Sequence, residues 1–154
     1  MAGQSSAPSA KPSAPLTWRL ARFRYQLRKF LRFSERVARA CGVTPQQHQL
    51  LLGVAGFTGR GWATVSDLAE FLQQRHNAVV GLVKRAELRG LVHKEPSSKD
   101  HRFVRVFPTS RGERTLRKLT QLHQAELRRF QAGLQSISGG ASRATRESRG
   151  GARA

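Results

Sequence analysis

What the chain has little of narrows it first. Its 154 residues hold one cysteine, so no disulfide can close within the chain and no cysteine-rich zinc site can be assembled. No stretch approaches the ~20 consecutive apolar residues of a membrane-spanning helix, and the first residues lack the apolar core of a secretion signal. The expectation is therefore a cytoplasmic protein with no membrane partner. Acidic side chains are scarce: 9 Asp and Glu stand against 28 Lys and Arg, for a formal net charge of +19 and a pI near 11.9. That balance points to an anionic partner, nucleic acid ahead of an acidic membrane surface. Catalytic sets are missing as well. There is no nucleophile-base-acid arrangement, no phosphate-cradling glycine loop and no carboxylate pair, so neither enzyme activity nor a cofactor is expected. His48, His93 and His123 are scattered without ligand spacing, which leaves no metal site.

What is present divides the chain into one domain between two tails. Residues 1–15 are Ala, Ser and Pro with almost no large apolar side chain; they cannot offset their own ordering entropy and are expected to be disordered. From Leu16 the pattern turns helical. Leu16, Leu20, Phe23, Leu27 and Val37 recur at helical spacing, with arginines on the remaining faces, and the helix should end near Gly42. Thr44-Pro45-Gln46-Gln47 supplies an N-cap, a first-turn proline and a capping-box Gln, so a second helix should run to about Ala55. The turn-rich GFTGRGW breaks it, and Trp62-Ala63 is long enough only for a small strand.

Thr64-x-x-Asp67 is a second capping box and opens a helix from Val65 to Leu72. A tight turn at 73–75 leads into a helix over Arg75 to Arg89. There Val79, Leu82, Val83 and Ala86 form one stripe, while Asn77, Val80, Gly81 and Lys84 lie opposite. The first stripe is a core face. The second is short-chained and barely acidic, suited to the edges of bases in a major groove: Asn pairs with adenine, Lys reaches guanine or phosphate, and Val80 meets a thymine methyl. Gly90 stands at the helix C-terminus, Leu91 to Glu95 and Arg102 to Phe107 read as a hairpin, and Pro96 to His101 as its polar tip. Ser110-x-x-Glu113 should cap a last helix whose Leu116, Leu119, His123, Leu127, Phe130, Leu134 and Ile137 make one long seam. Such a seam needs a partner, and the first helix carries a matching one. Residues 138–154 are Gly, Ser, Ala and Arg, expected to be a flexible basic tail.

The run DLAEFLQQRHNAVVGLVKRAELRGLV resembles the helix-turn-helix of the MarR-type winged-helix transcription regulators, and KDHRFVRVFPTSRG resembles their wing, a D-x-R pair followed by alternating valines. The resemblance spans Leu16 to Ile137 and is densest over Thr64 to Gly112. Pro108 stands where the family usually has Leu, and Arg75 where Ser or Thr usually caps the recognition helix. The resemblance implies a mainly α fold with a small β-hairpin wing (helix-turn-helix 64–90, wing 91–107) and long terminal dimerisation helices. It implies a homodimer that binds palindromic double-stranded DNA as a repressor in a bacterial cytoplasm and is released by a small-molecule ligand; members of the family respond to small aromatic or phenolic compounds, to oxidants or to metals, and nothing in the sequence selects among these. A nonspecific nucleoid-associated or RNA-binding protein is the alternative that the charge alone allows. Arg75, His76, Asn77, Val80 and Lys84 are the candidate reading residues. Lys99, Asp100, His101 and Arg102 are the candidate wing contacts, with Arg102 in the minor groove and Asp100 bracing it. Leu20, Phe23, Leu119, Leu127, Phe130 and Leu134 are the candidate dimer face. Cys41, near the end of the first helix, is expected to be a packing residue rather than a redox sensor.

Overall fold

The computed structural model describes residues 16–97 and 103–147, with side chains through residue 138. The expectations for the tail 1–15, for Lys99, Asp100, His101 and Arg102 at the wing tip, and for residues 148–154 lie outside the described residues.

Five α-helices and three short strands follow in order. They are α1 (Leu16–Ala40), α2 (Pro45–Leu52), a π-helical turn (Gly53–Phe57), β1 (Ala63–Thr64), α3 (Val65–Leu72), α4 (His76–Leu88), β2 (Val92–Pro96), β3 (Val104–Pro108) and α5 (Ser110–Glu147). No helix among the described residues is long and apolar enough to cross a membrane. The residues group into two compact units, one made of residues up to Phe30 together with those from Leu127, the other of Leu31–Glu126.

In the larger unit both expected capping boxes form. Thr44 Oγ1 accepts from the Gln47 amide at 3.1 Å while the Gln47 side chain accepts from Thr44 N–H at 3.0 Å, and Thr64 and Asp67 repeat the pattern at 3.1 and 2.9 Å. The second helix ends earlier than the expected Ala55. Beyond Leu52 the backbone widens into the π-turn, and Gly53 lies so near Leu68 and Phe71 of α3 that a Cβ there would overlap their side chains. The three strands form an antiparallel sheet in the order β1-β3-β2, pairing Ala63 with Val106 and Lys94 with Val106. The strands begin one or two residues later than the sequence suggests. Leu50, Leu68, Val79, Val83, Val92 and Val106 are fully buried and knit helices to sheet.

The start of α5 corrects an expectation. Thr109, not Ser110, takes the capping role: its Oγ1 accepts from Gly112 N–H at 3.0 Å and donates to the Gly90 carbonyl at 2.6 Å, while Thr109 N–H donates to Leu91 O at 3.0 Å. This clasp joins the end of α4 to the root of α5. It is tight enough that a Cβ on Gly112 would strike the Leu91 carbonyl oxygen. At its other end α5 continues past Ile137, where a tail was expected, as far as Glu147. The run after Ser138 contains no proline, and extending an existing helix fixes one residue per bond gained, so glycines weaken it without stopping it.

In the smaller unit Phe30 and Phe130 pack at 5.1 Å between ring centroids, Gly133 lets the Gln26 amide approach, and Ile137 is buried. Leu16, Leu20, Phe23 and Leu127 stay exposed. Leu119 does not belong with them: it is fully buried in the core of the larger unit, so it closes that core instead of facing a partner.

Candidate nucleic-acid interface

Helix α4 is held by its apolar stripe. Val79, Leu82, Val83 and Ala86 are buried, and at the C-terminus Gly90 adopts φ 67° so that its N–H and that of Leu91 return to the carbonyls of Glu87 and Ala86. Gln73, at φ 52°, makes the sharp turn from α3. With one face fixed, the other must face outward. Asn77, Val80 and Lys84 are exposed there, Arg75 and His76 are exposed at the N-terminal end, and Gly81 keeps the surface low.

The N-terminus of α4 has no side-chain cap. Arg75 occupies the cap position with φ −68° and ψ 144° but makes no capping hydrogen bond, and no acid lies in the first turn. The first amides of a helix need acceptors, and the positive end of the helix dipole favours an anion.

Beside α4 the sheet contributes a groove of about 360 Å³ lined by Ser66, His76, Val80, Lys84, Lys94 and Phe103. Three of these six, Ser66, Lys94 and Phe103, were not singled out from the sequence. Lys94 was legible in principle, since alternation along β2 sets it apart from His93 and Glu95. Phe103, 53% exposed at the edge of the wing, carries no such signal.

The wing root is braced by ion pairs and stacked rings. Lys94 Nζ lies 3.0 Å from Glu87 of α4, Arg105 3.8 Å from Glu95, and His93 3.1 Å from the same carboxylate. Arg60 lies over the Trp62 ring at 4.1 Å and meets Asp67 at 2.6 Å, and His93 stacks on Phe107 at 5.5 Å. Burial pushes the Asp67 carboxyl up, but the hydrogen bonds from Thr64 and the Arg60 charge outweigh it and hold the group below its usual value.

Two histidines that look unrelated in the sequence meet in the larger unit. The His48 and His123 rings lie 4.9 Å apart, with Phe33 edge-on to His123 at 5.4 Å. His123 Nδ1 donates to Leu119 O at 2.7 Å. His48 is 2% exposed, and its Nδ1 has no hydrogen-bond partner among the described residues. Burial, followed by the charge of His123, pushes its pKa down to about 4. The expectation of scattered histidines is corrected, because α2 and α5 are brought together by folding. Among the described residues no group of three or more His, Cys, Asp or Glu is placed to hold a metal ion. Cys41 is half-buried against the core.

Residues 42–102 match the model of the MarR family. No curated protein matches the chain. Among solved structures, AbsC, a MarR family transcriptional regulator from Streptomyces coelicolor, is 23% identical with a TM-score of 0.64, over 80% of this chain and 82% of that one. A mutant MarR from E. coli complexed with operator DNA is 20% identical with a TM-score of 0.61, over 80% and 88%. A mutant MepR from S. aureus bound to an oligodeoxyribonucleotide is 17% identical with a TM-score of 0.59, over 82% and 91%.

Proposed function

We propose, from the premise that this is a winged-helix protein of the MarR type, that the chain is a homodimeric, sequence-specific regulator binding palindromic operator DNA and acting as a repressor. The observation that carries the reading is the outward face of α4. Asn77, Val80 and Lys84 are exposed on a helix whose opposite stripe is buried, with a groove leading from them to the wing root. Asn77 and Lys84 supply base-edge and phosphate contacts, and the uncapped amides at the N-terminus of α4 donate to a phosphate oxygen. Lys99 and Arg102 extend the contact along the duplex, Arg102 entering the minor groove beside Asp100 and His101.

Dimerisation is supported by the exposed Leu20, Phe23 and Leu127, with Phe130 and Leu134 half-buried beside them. A water-facing apolar stripe of this length calls for a partner, and a second copy supplies the same stripe. Release by a small molecule is supported by a second groove, of about 280 Å³, within the larger unit. Its walls include Leu31, Phe71, Leu72 and Leu82, and Ser34 and Gln49 offer polar handles. An aromatic guest that favours one spacing of the two recognition helices shifts DNA affinity by its differential affinity for that state.

Selection from random DNA followed by salt titration tests the reading. Wild type should enrich a palindrome with half-sites about one helical turn apart. Asn77→Ala should lose about 1–3 kcal/mol on that palindrome and little on random DNA. Enrichment of no palindrome, with the variant differing only in overall affinity, would replace the regulator with a nonspecific nucleoid protein.

A further inference from the structure

We propose that the outward face of α1 is a second DNA-binding surface, one that grips the phosphate backbone of an additional duplex without reading its bases. Along its 25 residues α1 carries eight Arg and Lys against one acid, Glu35. Placed at about 100° per residue, all of these cations except Arg19 fall within roughly half the circumference, opposite Phe23, Leu27 and Phe30. All eight are exposed. The only ion pair of α1 among the described residues joins Arg39 to Glu35 at 3.9 Å, with both side chains at least half exposed.

An ordinary solvated helix face intersperses both signs. Here Arg24 faces Arg28, Arg28 faces Arg32 and Arg32 faces Arg36 at four-residue spacing, an arrangement that destabilises a lone helix. The wing root pairs its cations internally, Lys94 with Glu87 and Arg60 with Asp67, whereas among the described residues every cation of α1 but Arg39 has no acidic partner. Trp18 and Tyr25 interleave with them: Arg22 lies 6.0 Å from the Trp18 ring and 5.7 Å from Tyr25, and Lys29 lies 5.6 Å from Tyr25.

The shape of the charge favours a duplex. From Arg19 to Arg39 the row is about 30 Å long, close to one helical turn of DNA. It presents no exposed amide to read bases, since Gln26 is half-buried beside Gly133. An anionic membrane would instead require the apolar flank of the helix to insert, but Phe30 is packed on Phe130 and Ala38 in the core, and the exposed Leu20 and Phe23 are the residues that the proposed dimer face uses. Each phosphate neutralised releases counterions, so binding at this face depends steeply on salt and hardly on sequence.

The experiment uses the full chain and two duplexes of random sequence, one on beads and one fluorescent and free. Wild type should capture the free duplex at low salt. The variant with Arg24→Gln, Arg28→Gln, Arg32→Gln and Arg36→Gln keeps helix propensity and should lose at least ten-fold of that capture. Its salt slope should fall by about 0.9 for each contact removed, and any operator preference carried by α4 should remain. The matching Arg-to-Lys variant should restore capture, which separates charge from folding. Palindrome enrichment and capture are scored separately, so failure of the operator reading and failure of this one look different. Equal capture by the Gln variant, equal loss in the Lys variant, or competition by phosphatidylserine vesicles as strong as by DNA would each overturn the proposal.

Discussion

Lowering the pH from 6.5 toward 4 should destabilise this protein through His48. In the unfolded chain His48 protonates around 6.5, whereas in the folded protein, buried at 2% exposure beside His123, it stays neutral down to about 4. Between those values the unfolded state binds the extra proton. Stability is therefore complete above about pH 6.5 and is lost as the pH falls toward 4, with a slope near 1.4 kcal/mol per unit and a total of about 3 kcal/mol. Asp67 works in a lower window: its folded carboxyl lies below the ordinary 3.8, so its contribution is lost only beneath that value. Chemical denaturation of wild type and His48→Gln across pH 4–7.5 measures the effect. Subtracting one curve from the other cancels the groups that His48 does not touch. Parallel curves between pH 4.5 and 6.5 would show that His48 is not kept neutral by burial, and the argument from its packing would fail.

Gly112→Ala forces a methyl group onto the Leu91 carbonyl in the clasp between α4 and α5, so it should cost about 3 kcal/mol in a thermal or chemical melt. Wild-type stability in that variant would mean that the clasp can shift. Leu119→Ala and Leu127→Glu separate core from interface. The first should lower stability by about 2–5 kcal/mol without changing the sedimentation of the proposed dimer, and the second should dissociate it. Dissociation by Leu119→Ala alone would reverse that assignment.

The parts of this fold that local chemistry determines were legible from the sequence. Thr44-x-x-Gln47 and Thr64-x-x-Asp67 place two helix starts, and Val79, Leu82, Val83 and Ala86 give the buried face of α4, because caps and periodicity act within four residues. What depends on distant neighbours was not. Leu119 continues a seam that reads as one face, yet it is fully buried in the core of the larger unit, and nothing within its own helix distinguishes it from Leu127. His48 and His123 are 75 residues apart in sequence, and only the packing of α2 on α5 joins them. Thr109 was hidden by its neighbour: Ser110 fits the capping pattern equally well, and the choice falls to Gly90, whose carbonyl lies where the Thr109 hydroxyl can reach it.

At Arg75 stability and the proposed binding role stand in opposition. A Ser, Thr, Asn or Asp at an N-cap is worth about 1 kcal/mol, and a cation near the positive end of a helix dipole costs a further few tenths. Arg75 forgoes the first and incurs the second, since its side chain makes no capping bond and the first turn holds no acid. If that position serves DNA, its long cation and the uncapped amides behind it meet the same phosphate, and both deficits disappear in the complex. Arg75→Ser should then stabilise the free protein by about 1–1.5 kcal/mol in chemical denaturation. The same substitution should weaken binding to operator and random duplexes alike and lower the salt slope by about 0.9 per subunit, because a phosphate contact carries no sequence information. A Ser variant that is more stable and binds both duplexes as tightly as wild type would remove Arg75 from the interface and leave its place at the start of α4 without a functional reason.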